Sequence, residues 1–123
     1  MVKKILVVDD EALLTKTFTL LLERNGYEVL IAKSGQDAQI LAEEEKFDLI
    51  ICDIRMPGVD GVEFAESIKN SRMLNSETPL IFITGYADPE VEKTAKALSP
   101  IAYIHKPFDS QEILNMIRKT LGG

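Results

Sequence analysis

The chain has 123 residues, 46% of them hydrophobic and 28% charged, which is enough apolar material for one domain with its own core and excludes wholesale disorder. A formal net charge of −6 leaves no basic face for a phosphate backbone, so direct nucleic-acid binding is not expected. The one cysteine, Cys52, excludes an internal disulfide and agrees with a reducing cytoplasm; its place inside an apolar run predicts a buried small side chain, not a reactive thiol.

The start, Met1-Val2-Lys3-Lys4, imitates a signal-peptide n-region, but only Ile5 to Val8 follow before acid interrupts. No stretch reaches membrane-spanning length, so a cytoplasmic location without a membrane partner is expected.

The run Ile5-Leu6-Val7-Val8 is continuous, as in a strand buried on both faces of a parallel sheet. After Asp10, Leu14, Phe18, Leu21 and Leu22 recur at helical spacing, and Asn25-Gly26 is the stop. Val29 to Ala32 is less apolar and suits a sheet edge. Ser34 begins a second helix, with Asp37 placed as in a capping box and Ala38, Leu41 and Ala42 as the buried face. Leu49-Ile50-Ile51-Cys52 is the third strand. A third helix runs from about Gly61 to Asn70 and buries Val62, Ala65 and Ile68.

Leu80-Ile81-Phe82-Ile83 is the fourth strand. The fourth helix opens at Asp88 as N-cap, with Pro89 at its first position and Val91, Ala95 and Leu98 inward. Ala102 to Ile104 is a second edge strand. The last helix has the fullest start signal: Asp109 caps it, Glu112 completes the box and Phe108 staples onto Ile113. Ile113, Leu114, Ile117 and Leu121 face inward, and Gly122 ends it.

Strand alternates with helix five times on short connections. That predicts an α/β fold, a doubly wound five-stranded parallel sheet with helices on both faces. Right-handed crossovers around a central first strand give the order 2-1-3-4-5, with a ligand site at the switch point between strands one and three. A single domain over residues 1–123 is expected, Gly122-Gly123 being a tail or the start of a linker.

Asp9, Asp10 and Asp53 stand at that switch point. Taken singly, Asp9 or Asp10 is an N-cap, and Asp53, ahead of Ile54-Arg55-Met56-Pro57-Gly58, begins a turn. A cap needs one oxygen, and three carboxylates at one spot exceed that need. Like charges this close call for a divalent cation, and Mg²⁺ suits carboxylate oxygens completed by waters and a substrate phosphate. Lys106, aimed by Pro107 at the end of the last strand, reaches the same edge. A metal-dependent aspartyl-phosphate site is the expected chemistry.

Four ordered motifs, Val7-Val8-Asp9-Asp10-Glu11, Asp53-Ile54-Arg55-Met56-Pro57-Gly58-Val59-Asp60-Gly61, Ile83-Thr84-Gly85 and Tyr103-Ile104-His105-Lys106-Pro107-Phe108, resemble those of the response-regulator receiver family over nearly the whole chain. The resemblance implies a flavodoxin-like sheet and Asp53 as phosphoacceptor for a phosphohistidine of a sensor histidine kinase or phosphotransfer protein. It implies Mg²⁺, or Mn²⁺ in its place, held directly by Asp10, Asp53 and the Arg55 backbone carbonyl, with Asp9 acting through water. Thr84 and Lys106 then bond the phosphoryl group.

Taken alone, Thr84 is a strand residue with its hydroxyl on nearby backbone, and Tyr103 an edge aromatic. In the family the two positions form a switch. Arg55 and Tyr86 occupy positions that flank the hydrolytic water and tune the lifetime of the aspartyl phosphate, which implies slow self-dephosphorylation. Gly85 keeps access to Asp53 open. A cis Lys106-Pro107 bond is also implied. His105, adjacent to Lys106 on a strand, should diverge from it onto the solvent side. The output partner or domain is expected on the face of helix four, strand five and helix five. A phosphorylation-dependent homodimer stays open. The implied protein is a signalling switch and not a conventional enzyme.

One departure stands out. Receivers often carry Gly-Ala ahead of the switch aromatic, and here Ser99-Pro100 precedes Ile101; Pro100 stops the fourth helix near Leu98 and stiffens the loop. The output geometry, not the phosphorylation chemistry, is what this alters. Three rivals compete. A haloacid-dehalogenase-type Mg-dependent phosphohydrolase wants a second Asp where Glu11 stands. A flavodoxin-like flavin binder wants a Gly/Ser/Thr-rich phosphate loop where three acids stand. A degenerate receiver acting only as an interaction module is opposed by the complete set Asp9, Asp10, Asp53, Thr84 and Lys106.

Overall fold

Five parallel strands, β1 (Lys4–Val8), β2 (Glu28–Ala32), β3 (Leu49–Asp53), β4 (Leu80–Thr84) and β5 (Ala102–His105), lie in the order β2-β1-β3-β4-β5. Between and after them run α1 (Ala12–Arg24), α2 (Gly35–Glu44), α3 (Gly61–Ile68), α4 (Pro89–Lys96) and α5 (Ser110–Leu121). The computed structural model describes residues 1–56, 58–70 and 72–122. Pro57 of the expected turn and Gly123 of the expected tail lie outside the described residues.

Every residue of β3 and β4 is buried, as the unbroken apolar runs require of strands covered on both sides. The pleat divides them between two cores. Leu6, Val8, Ile50, Cys52, Leu80 and Phe82 point to one face, where α2, α3 and α4 supply Ala38, Ala42, Phe64, Ile68 and Ala95. Ile5, Val7, Leu49, Ile51, Ile81 and Ile83 point to the other, where α1 and α5 supply Phe18, Leu22, Ile113, Leu114 and Ile117. Each of the Val, Leu, Ile and Phe side chains among them contributes about 1.5–3 kcal/mol by leaving water. Cys52 is fully buried, as expected.

The register fixes where the chemistry sits. Val8 pairs with Ala32 on one side and Cys52 on the other, and Asp53 pairs with Ile83. The carboxyl ends of β1, β3 and β4 therefore finish level, and the residues just beyond them share one rim.

The helix starts differ from the sequence reading in detail. Ser34 accepts from the Asp37 N–H at 3.1 Å and Asp109 from the Gln111 N–H at 2.8 Å, but neither return bond forms. Asp37 is a methylene too short to reach back, and Asp109 engages the residue before Glu112. The reciprocal box is instead on α3: Asp60 accepts from the Glu63 N–H at 2.9 Å and Glu63 Oε1 from the Asp60 N–H at 3.4 Å. That helix also buries Phe64, and it ends at Ile68, two residues earlier than expected; the Lys69 ammonium donates to the Thr78 carbonyl at 2.7 Å.

Phe108 stacks on Phe18, centroids 5.5 Å apart, which ties the entry of α5 to α1. Asp88 caps α4 through the Glu90 and Val91 N–H groups, with Pro89 at the first position as expected. The helix ends at Lys96; Ser99 has a left-handed φ of 55°, just before Pro100. Gly122 closes α5 with φ 72°.

Candidate functional site

Asp9 leaves β1 with its N–H donating to the Ala32 carbonyl at 3.0 Å, and its Oδ1 accepts from the Glu11 N–H at 2.8 Å. Asp53 closes β3, and its Oδ1 accepts from the Arg55 N–H at 3.3 Å. Both are nearly inaccessible, 2% and 6% exposed, whereas Asp10 is exposed. One carboxylate oxygen from each of Asp9, Asp10 and Asp53 lies within 4.8 Å of the others. The expected convergence is present.

That closeness requires α3 to begin tight against the end of β3. A Cβ on Gly61 would stand 2.1 Å from the Asp53 carbonyl oxygen, so only glycine permits the approach. In the sequence Gly61 stands out as a helix start and as the end of the Asp53 motif, neither of which shows this close approach.

Lys106 comes from the end of β5, its N–H donating to the Thr84 carbonyl at 2.7 Å, and its bond to Pro107 is cis, as the resemblance implied. Its Nζ lies 3.4 Å from Asp53 Oδ2, 3.6 Å from Asp9 Oδ2 and 3.4 Å from Glu11 Oε1. The Glu11 contact was missed, although the run of three acids at Asp9-Asp10-Glu11 was the signal for it.

Among the described residues, three carboxylates thus surround the Lys106 ammonium and a fourth, Asp10, lies beside two of them, so negative charge is in excess. Burial, then repulsion from Asp53, pushes the Asp9 carboxyl up to about 6 against the opposing pull of the Glu11 N–H and Lys106. Burial also raises Asp53, opposed first by Lys106. For Lys106, burial pulls down, but Asp53, Asp9 and Glu11 together outweigh it and the ammonium is held above its ordinary value. The edge is short of positive charge, and hard oxygen donors in this number suit a hard divalent cation.

Thr84 is buried at the end of β4, and its Oγ1 accepts from the Tyr86 N–H at 3.1 Å, the local backbone bond its structural role predicts. Tyr103 is half-buried across from Phe82, ring centroids 6.4 Å apart, on the same face of the sheet as Thr84. His105 diverges from Lys106 as expected: it meets the Tyr103 ring edge-on at 5.5 Å and its Nε2 lies 3.8 Å from Glu92 Oε1 on α4. Arg55 and Tyr86 meet over the rim, the guanidinium carbon 4.1 Å from the ring centre. A Cβ on Gly85 would find Lys106 Cδ at 3.9 Å, an ordinary contact beside the lysine stem.

The sequence model of the response regulator receiver domain matches residues 5–118. The chain is 35% identical over 119 residues to the transcriptional regulatory protein CrdR of Helicobacter pylori, covering 97% of this chain and 55% of that protein. It is 34% identical over 122 residues to the polar-differentiation response regulator DivK of Brucella ovis, covering 99% and 98%. A CheY-like receiver domain protein from Methanospirillum hungatei superposes with a TM-score of 0.91 at 32% identity, over 99% of this chain and 95% of that one. The chain spans about half the length of CrdR and nearly all of DivK. This chain belongs to the response regulator receiver family. Receiver domains are the signalling switches of two-component systems; they bind Mg²⁺ at an acidic pocket and meet histidine kinases and output domains. Among the described residues no helix is long and apolar enough to cross a membrane.

Proposed function

We propose that the chain accepts a phosphoryl group on Asp53 from the phosphohistidine of a histidine kinase or phosphotransfer protein, and that the aspartyl phosphate then changes the surface offered to an output domain or partner. The observation that carries this reading is the meeting of Asp9, Asp10, Asp53 and Lys106 on one rim. In the transfer an Asp53 oxygen forms a bond to phosphorus while the bond from phosphorus to the histidine nitrogen breaks, the imidazole leaving with the electron pair. Such a transfer needs alignment and charge neutralisation more than covalent assistance.

Asp10, Asp53 and the Arg55 carbonyl would hold Mg²⁺, or Mn²⁺ in its place, with Asp9 through water, and the surplus of carboxylates supports that assignment. Mg²⁺ bound there supplies charge neutralisation at the phosphoryl oxygens. Lys106 adds its ammonium from the β5 side. Arg55 N–H fixes one Asp53 oxygen at 3.3 Å, and the other, 3.4 Å from the Lys106 ammonium, would be the one to attack. The Thr84 hydroxyl, which donates to the Tyr86 carbonyl at 3.4 Å, exchanges that acceptor for a phosphoryl oxygen, and Tyr103 moves into the space it leaves, a two-state equilibrium biased by the new charge. The face of α4, β5 and α5 reports the change. Arg55 and Tyr86 exclude the hydrolytic water and prolong the modified state.

Intact-mass measurement after incubation with acetyl phosphate and Mg²⁺ tests this. A single phosphoryl adduct, lost in Asp53→Asn and with EDTA, is expected. An unmodified wild-type chain overturns the reading in favour of a module that acts only by binding partners.

A further inference from the structure

We propose that Glu11 is a positioning residue for phosphoryl acceptance: in the unphosphorylated protein it holds part of the Lys106 ammonium, and the incoming phosphoryl group has to take that ammonium from it. The inference rests on Asp53 being the phosphoacceptor. An ammonium has three donors, and three carboxylates surround this one. Glu11 Oε1 is as near to Nζ as Asp53 Oδ2 is, both at 3.4 Å, and nearer than Asp9 Oδ2 at 3.6 Å.

Among the described residues the Glu11 carboxylate meets no other partner. It occupies the N-cap position of α1, yet its side chain makes no capping bond. Its backbone is fixed at both ends: its N–H donates to Asp9 Oδ1 at 2.8 Å and its carbonyl accepts from the Thr15 N–H at 3.1 Å. The side chain therefore swings from a rigid base over the mouth of the site. It is also the exposed member of the three, 58% against 3% for Asp9 and 7% for Asp53, so it can release the ammonium into water where the buried pair cannot.

During transfer from acetyl phosphate, the Asp53 oxygen–phosphorus bond forms and the phosphorus–oxygen bond to acetate breaks, acetate leaving with the electron pair. The phosphoryl oxygens then compete for Lys106 with a carboxylate that also repels them. Glu11 acts as a brake on acceptance through Lys106.

The test is the rate of phosphorylation by acetyl phosphate at Mg²⁺ concentrations verified as saturating, for wild type, Glu11→Gln and Glu11→Asp. Aspartate keeps the charge but is shorter by about 1.5 Å, one carbon–carbon bond, and loses Lys106. Both variants should be phosphorylated faster by about two- to fivefold, the range an exposed ion pair spans. A second readout needs no phosphorylation: the side-chain nitrogen resonance of Lys106 should move in both variants. Glu11→Asp matching wild type while Glu11→Gln is faster would assign the effect to repulsion alone and overturn the proposal. Unchanged or slower rates in both also overturn it. A wild-type chain that takes up no phosphoryl group removes the Asp53 reading itself, and this inference with it.

Discussion

The guanidinium of Arg55 lies against the Tyr86 ring, 4.1 Å from its centre, so that the loops following two neighbouring strands, β3 and β4, meet through their side chains. A cation on an aromatic face at this distance is attracted by the ring quadrupole, by about 0.5–1 kcal/mol at an exposed site. Tyr86 is 56% exposed, so the stack lies on the surface and fills no core.

Replacing Tyr86 with Ala should therefore open a path for water to the aspartyl phosphate and shorten its lifetime, with little loss of stability. Following the decay of the phosphorylated mass after donor removal checks this. Arg55→Ala should act in the same direction, and the double variant should add little, because either change dissolves the stack. A wild-type lifetime of seconds, or variants that decay no faster, removes the shielding role.

Metal-free protein should become more stable as the solution is acidified from pH 7 to pH 5. The Asp9 carboxyl stands at about 6 when folded and 3.8 as its ordinary value, so between those limits the folded state binds the extra proton. Stability is thus lost as pH rises through that window, by on the order of 2–3 kcal/mol from Asp9, and Asp53 pushes the same way. Thermal melts in EDTA should rise toward pH 5, and Asp9→Asn should flatten the trend. Saturating Mg²⁺ should reverse it by favouring the ionised carboxylates. A wild-type midpoint that falls steadily from pH 7 to pH 5 in EDTA contradicts the burial-driven shift.

Lys106→Met should destabilise the metal-free chain at pH 7 by about 1–3 kcal/mol, since it leaves Asp9 and Asp53 buried without their cation. It should also lower phosphoryl uptake while leaving Mg²⁺ affinity equal or higher. Urea unfolding and a metal titration read the two effects separately, and weaker Mg²⁺ binding would count against the charge argument.

Gly61→Ala should cost about 1–3 kcal/mol, the range for overpacking, because its methyl would meet the Asp53 carbonyl at 2.1 Å. Since the strain falls on Asp53 itself, Mg²⁺ affinity should drop as well. Gly122→Ala, where a methyl group meets nothing within 4 Å but the left-handed φ of 72° still strains it, should also lose stability yet keep the metal affinity, and so separates the two effects.

The strands and the site rim were legible because their signals are local or topological. Unbroken apolar runs such as Leu80 to Ile83 say that both faces are covered, and the strand order then carries Asp9, Asp10, Asp53 and Lys106 to one edge. Contacts decided by side-chain reach were not legible. The reciprocal box fell to Asp60 and Glu63 and not to Ser34 or Asp109, because a methylene and a single N–H separate a closed box from an open one. Asn75 is completely buried; its Oδ1 accepts from the Phe47 N–H and its Nδ2 donates to the Ala42 and Glu45 carbonyls. An asparagine in a polar loop gives no sign of such a task. Glu11 went unread for a similar reason: its partner lies 95 residues away.

His105 and Lys106 are consecutive, yet one turns toward Glu92 on α4 and the other toward Asp53. A single peptide unit is all that separates the place where a message would be written from the place where it would be read. A domain that signals this way would need no long wire through its interior, because the two ends of the path would be neighbours in the chain.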